Sequence, residues 1–214
     1  MEFSGTFELE DTTVEEVWLA LSDPVLIADS LPGCQYLLAV DGDVDFDELG
    51  EEAETRDQEL SGDPETIAER AFREGQQYAA LMQVSVGPVN PTFETVVTIV
   101  ERDQPRMRAE GEGNSGDSSF EMSSGMELTE TDGGVEVQWE TEADVFGKVA
   151  GVGQRVINPV ANRLVKRFFS SVQTTLHELT LAEMDGKPAG EETEDTGIVD
   201  RLLGRSGSNT SDSK

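Results

Sequence analysis

The stretch VAGVGQRVINPVANRLVKRFFSSVQTTLHEL, residues 149–179, decides the fold. Val149, Val152, Val156, Val160, Leu164, Phe168, Val172, Leu176 and Leu179 recur at spacings of three and four, the stripe of an α-helix lying on a core. Asn158-Pro159 interrupts the stripe. Proline lacks the backbone donor and disfavours helix at the residue before it, so a kink is expected there. A helix this long with one apolar stripe needs a broad surface to lie on.

The preceding sequence supplies that surface. From residue 77 onward strand patterns follow one another at hairpin spacing, and parity sorts their side chains onto two faces. Tyr78, Ala80, Met82, Val84 and Val86 form one inward set. Beyond the Gly87-Pro88 turn come Phe93, Thr95, Val97 and Ile99, and beyond Asp103-Gln104-Pro105 come Met107, Ala109, Gly111 and Gly113. Phe120, Met122, Met126 and Leu128 follow. After the Asp132-Gly133-Gly134 turn, Val135, Val137, Trp139, Thr141, Ala143 and Val145 alternate with Glu136, Gln138, Glu140, Glu142 and Asp144, an antiparallel meander with one wet face.

At the other end, residues 2–10 alternate as a strand with Phe3, Gly5, Phe7 and Leu9 inward. Thr12 or Thr13 caps a helix carrying Val14, Val17, Trp18 and Leu21, with Glu15 or Glu16 completing a capping box. Asp23-Pro24 stops it, a second short helix spans Val25 to Ser30, and Leu31-Pro32-Gly33-Cys34 turns into a strand at Gln35 to Val40. A strand, two short helices, a meander and a long terminal helix make an α+β chain of helix-grip (START-like) type. The expected architecture is a curved antiparallel sheet of about seven strands wrapped on the long C-terminal helix around an apolar cavity.

Composition sets the boundaries. The domain is expected over residues 1–184, with an exposed acidic insertion at 41–76 that holds a short helix at Ile67 to Arg73. Residues 185–214 read as a disordered acidic tail, within which Ile198, Val199, Leu202 and Leu203 fall on one face of a short amphipathic segment at 198–203. That segment is expected to fold only against a partner.

Forty-five acidic residues against fifteen basic ones give a formal charge of -30, which repels nucleic acid and excludes it as a partner. The acids are spread over the whole chain, the pattern of a protein adapted to a cytoplasm of roughly molar salt, where charges are screened within a few ångströms. One cysteine, Cys34, leaves no internal disulfide and no cysteine-rich metal site. No window approaches 18 apolar residues, and the chain enters a strand without a signal-peptide pattern. A cytoplasmic protein is expected, reaching the inner face of a membrane only peripherally.

Glycines at inward places 111 and 113 leave volume in the interior, and methionines adapt to an irregular guest. The expected cavity is lined by Met82, Phe93, Met107, Met122, Met126, Trp139, Val156, Val160, Leu164 and Phe168 and takes a hydrophobic small molecule.

Several motifs resemble the carbon monoxide dehydrogenase G-subunit (CoxG) family. They are Gly5 with Phe7, Val14-Glu15-Glu16-Val17-Trp18, Leu21-Ser22-Asp23-Pro24 and Leu31-Pro32-Gly33-Cys34, then Val84-Ser85-Val86-Gly87-Pro88-Val89, Ala109-Glu110-Gly111-Glu112-Gly113 and the region from Gly147 to Phe169. The likeness covers about residues 1–40 and 77–180; the insertion and the tail depart from it. The resemblance implies a START-like, non-catalytic accessory protein of a molybdenum hydroxylase of the carbon monoxide dehydrogenase type, which it couples or recruits to the membrane or the quinone pool. On that reading there is no covalent cofactor, and the guest is an isoprenoid quinone or a comparable lipid. The rival on the same fold is a polyketide cyclase-like enzyme or other lyase.

Remaining constellations carry less. Asp41, Asp43, Asp45 and Glu52 imitate a calcium loop, but Phe46 stands where glycine must bend the chain. Gly147-Lys148 precedes, rather than ends, its glycine run, so close packing of helix on sheet explains it better than a phosphate loop. His177 falls on the polar side of the terminal helix and Cys34 reads as a small buried thiol, so neither is a catalytic candidate. No metal site is expected. Arg155, Arg163 and Lys166, with Arg167 at their edge, gather on one flank of the last helix, either paired with acids along the helix or forming a docking patch for an acidic partner.

Overall fold

The strand alternation at the N-terminus forms β1 (Glu2–Glu10), whose inward Leu9 is buried. A computed structural model describes residues 1–56 and 59–185, with side chains to residue 179. In chain order there follow α1 (Val14–Ser22), α2 (Pro24–Ser30), β2 (Cys34–Val40), α3 (Phe46–Thr55) and α4 (Pro64–Arg70). Then come β3 (Gln77–Gln83), β4 (Thr92–Asp103), β5 (Arg106–Asn114), β6 (Ser118–Thr131), β7 (Gly134–Phe146), α5 (Gly147–Gly151) and α6 (Gln154–Asp185). The seven strands form one antiparallel sheet ordered β1-β7-β6-β5-β4-β3-β2, curved around α6. This is the α+β helix-grip architecture that the periodicities predict.

Local chemistry sets the helix starts. Thr13 caps α1 in a capping box: the Glu16 amide donates to the Thr13 hydroxyl at 3.3 Å, and the Thr13 amide donates back to the Glu16 carboxylate at 2.7 Å. Asp23 caps α2, accepting from the Val25 amide at 3.0 Å, with Pro24 in the first turn where its missing donor costs nothing.

The insertion is not simply exposed. Its first helix, α3, turns half-buried Phe46, Leu49 and Ala53 toward the outer side of β2. There Tyr36, Leu38 and Ala79 are buried on the face opposite Tyr78 and Ala80, and the Tyr36 hydroxyl donates to the Phe46 carbonyl at 3.2 Å. Its second helix covers 64–70, shifted toward the N-terminus from the expected 67–73 because Asp63 caps it and Pro64 opens it. Ile67 and Phe72 enter the core. Arg70 donates to the fully buried carboxylate of Asp23 at 2.7 Å, and the Phe72 amide donates to the Ser22 carbonyl at 2.8 Å. These bonds fasten the insertion to the α1–α2 corner.

The long helix also differs from expectation. The chain breaks between α5 and α6, where Gly153 has φ +81°, and α6 runs on through Pro159. Proline early in a helix removes one bond, to Arg155, whereas a left-handed residue at Gly153 stops propagation altogether. At the start of α5 a side chain on Gly147, φ +75°, would collide with the Asp117 carbonyl, and Lys148 pairs with the Asp117 carboxylate. The glycine therefore serves close approach of helix to sheet. No described helix is long and apolar enough to cross a membrane.

Arg70→Met removes the counter-ion of a carboxylate that stays out of water. It is expected to lower unfolding free energy by about 3 kcal/mol, read as a drop in the urea midpoint with an unchanged slope.

Candidate ligand cavity between the sheet and the terminal helix

Inward side chains of the sheet do not form one core. Leu9, Val17, Leu26, Tyr78, Ile99, Met107, Val135, Val137, Phe169 and Val172 belong to a cluster under α1 and α2, with Phe7 stacked on Phe169 at 5.2 Å. A second cluster, built on Val86, Phe93, Val149 and Ile157, lies under α5 and the start of α6, with Phe93 edge-on to Phe120 at 5.1 Å. Between them Val97, Met122 and Ala143 on the sheet and Leu164 on α6 belong to neither and remain only half-buried. The helix approaches α2 and β1 most closely, not the middle strands. Partial exposure of inward apolar side chains beneath a helix marks incomplete packing there.

The inward glycines are not empty. A methyl built at Gly113 would lie 2.7 Å from Phe120 Cζ, and one at Gly111 would lie 3.0 Å from the terminal carbon of Met122. Gly5 is covered by the Trp139 indole at 3.1 Å. Each slot is filled by the residue directly opposite on the next strand, since Gly113 pairs with Phe120, Gly111 with Met122 and Gly5 with Trp139. The glycines thus seat large side chains flat on the sheet, and the unfilled region lies above Gly111 and Met122.

The structure distributes the ten expected lining residues over three places. Met82, Phe93, Val156 and Val160 meet in the second cluster; Met107, Met126, Trp139 and Phe168 belong to the first; Met122 and Leu164 lie between. Polar groups on the inner face are few. Thr95 is buried without a partner, and Ser124 and Thr141 bond to each other at 2.7 Å. Parity places Thr95 inward, but only the packed structure shows its hydroxyl unmet. On the opposite face an open depression of about 420 Å³ is rimmed by Arg106, Arg108, Glu127, Gln138 and Glu140, a feature alternation alone does not reveal.

Of the expected docking residues, Arg155, Arg163 and Lys166, like Arg167, are exposed, and none forms an ion pair with another described residue. Pairing along the helix therefore does not occur among the described residues, and the reason is simple: residues 154–177 contain no Asp or Glu. Ile198, Val199, Leu202 and Leu203 lie outside the described residues.

The other candidates have structural employment. Asp45 caps α3, accepting from the Asp47 amide at 3.0 Å, and among the described residues no group of three His, Cys, Asp or Glu is placed to hold a metal ion. Cys34 is half-buried; desolvation pushes its thiol up to about 11, opposed in part by its hydrogen bond to the Tyr36 backbone. At neutral pH it is protonated and a poor nucleophile. His177 is exposed, 3.5 Å from the Gln173 amide nitrogen.

Residues 69–177 match the carbon monoxide dehydrogenase G-subunit (CoxG) family, 109 of the 214 residues. The chain belongs to that family. The match runs from α4 through the meander into α6, so it includes the region beneath α6 but not the N-terminal motifs. No curated protein matches the chain. Among solved structures, a conserved protein from Geobacillus kaustophilus is 23% identical with a TM-score of 0.62, covering 83% of this chain and 96% of that one. A protein from Thermus thermophilus is 11% identical with a TM-score of 0.53, over 83% and 98%. One from Chromobacterium violaceum is 12% identical with a TM-score of 0.50, over 81% and 96%. At these identities the likeness is one of fold.

In this CoxG-family chain, Gly113→Ala is expected to lower stability by about 1–3 kcal/mol through collision with Phe120. Adding Phe120→Leu should recover part of the loss, and a double-mutant cycle followed by thermal unfolding measures the coupling.

Proposed function

We propose that this chain is a non-catalytic accessory protein of a molybdenum hydroxylase of the carbon monoxide dehydrogenase type. It holds a hydrophobic molecule, an isoprenoid quinone or comparable lipid, between the sheet and α6, and couples or recruits the hydroxylase to the membrane or quinone pool. The observation that carries the reading is the divided core. Val97, Met122, Ala143 and Leu164 stay half-buried on surfaces that face one another, and a long apolar guest laid against them gains about 25 cal/mol for each Å² it covers.

The polarity of that face favours binding over chemistry. Inward positions of the described strands are apolar, or hydroxylic at Thr95, Ser124 and Thr141, with no carboxylate or imidazole among them. A cyclase-like reaction needs a general acid or base at the guest, and the sheet offers no source for one. The uncompensated cations of α6 support docking on an acidic protein surface. In molar salt only ion pairs in direct contact retain strength, which suits exposed side chains that no neighbouring acid already occupies. The 198–203 segment, with Ile198, Val199, Leu202 and Leu203, is assigned a second contact, to the partner or peripherally to a membrane.

Protein isolated without detergent and extracted into organic solvent is expected to release a quinone or lipid detectable by mass spectrometry. An empty extract, together with no uptake of added quinone, overturns the ligand-holding role. For the docking role, reversing Arg155, Arg163 and Lys166 to Glu together is expected to reduce co-purification with the hydroxylase by about tenfold or more. Undiminished co-purification removes α6 from the interface.

A further inference from the structure

Four buried side-chain atoms have no hydrogen-bond partner among the described residues: Ser30 Oγ, Thr95 Oγ1, Arg70 Nε and Arg102 Nε. The two arginines already donate through other guanidinium nitrogens, to Asp23 and to Ser22, and Ser30 is the last residue of α2. Thr95 is different. It lies on the inner face of β4, 4% exposed, between Phe93 of the second cluster and half-buried Val97, with Ala80 and Gly113 as its cross-strand neighbours. A side chain at 113 would begin 3.0 Å from the Thr95 oxygen, so glycine leaves that oxygen uncapped from β5.

Valine has the shape of threonine and would leave nothing unsatisfied, so the hydroxyl weakens the fold when nothing bonds to it. We propose that the Thr95 hydroxyl donates the hydrogen bond that fixes a carbonyl-bearing apolar molecule beneath α6, beside Val97, Gly111 and Met122. The inference rests on the ligand-holding reading above and narrows it from any hydrophobic guest to one with a carbonyl oxygen. A carbonyl accepts one bond and brings no donor of its own, whereas an alcohol would carry a second proton into a face with no free acceptor near Thr95. Ser124 and Thr141 already satisfy each other, which leaves Thr95 as the unspent donor on the sheet.

The test compares wild type, Thr95→Val and Thr95→Ser in displacement of the neutral fluorophore N-phenyl-1-naphthylamine by decylubiquinone and by dodecylbenzene, which has no carbonyl. Thr95→Val is expected to weaken decylubiquinone about fivefold, leave dodecylbenzene unchanged, and raise the Tm of ligand-free protein by about 2–4 °C. Thr95→Ser keeps the donor and is expected to retain the preference for decylubiquinone. Equal decylubiquinone affinity in wild type and Thr95→Val overturns the assignment of Thr95 while the ligand-holding reading stands. Wild type that takes up neither the fluorophore nor either competitor overturns both.

Discussion

The carboxylate of Asp23 is withdrawn completely from water, and the arrangement of the N-terminal half follows from what it needs in return. One oxygen accepts the Val25 amide and so fixes the start of α2; the other accepts Arg70 from the far end of an acidic insertion. A buried charge with one partner missing is far more costly than the pair, so the corner between α1 and α2 and the return of the insertion to the sheet depend on each other. Neighbouring bonds reinforce the junction. Ser22 accepts from Phe72 through its carbonyl and from Arg102 through its hydroxyl, and the Arg102 guanidinium lies 5.3 Å from the centre of the Trp18 ring. Helices, insertion and β4 meet within a few residues.

Much of this architecture is written in local chemistry. The capping box at Thr13 and Glu16, the Asp23-Pro24 helix boundary and the parity of the strands are short-range properties, and the structure has them where the sequence places them. The insertion is harder to read because its ordering is tertiary. Phe46, Leu49 and Ala53 are too sparse to announce a buried helix, and nothing local tells that Tyr36 and Leu38 need cover on the outer side of β2. The break in the long helix falls at Gly153 instead of Pro159 for a related reason: a proline near a helix start forfeits one bond, while a glycine allows a backbone conformation that ends the helix.

For the site, alternation correctly sorts which side chains face inward, but not how they share the space. Inward glycines in β5 look like vacant volume in one dimension; across the strand, Phe120 and Met122 fold over them. Whether opposed side chains interlock depends on rotamers and on the distance between helix and sheet, neither of which a periodicity carries. The absence of acids from residues 154–177, by contrast, is open to reading, and it determines why the α6 cations stand alone. The orphaned Thr95 hydroxyl cannot be read at all, since a satisfied threonine and an unsatisfied one are the same letter.

A core divided into two apolar clusters has a kinetic side. Side chains that do not touch need not loosen together, and native proteins open in cooperative pieces that follow such divisions. The piece under α5 and the first turns of α6 holds fewer buried residues than the piece gripped by α1 and α2, and it is joined onward through the left-handed backbone of Gly153. Fluctuation there would part the front of the helix from the sheet while Phe169 and Val172 hold the rest in place. The same partition that leaves the middle loosely filled therefore gives the fold a weaker end, through which a guest passes by local melting rather than by movement of a whole domain.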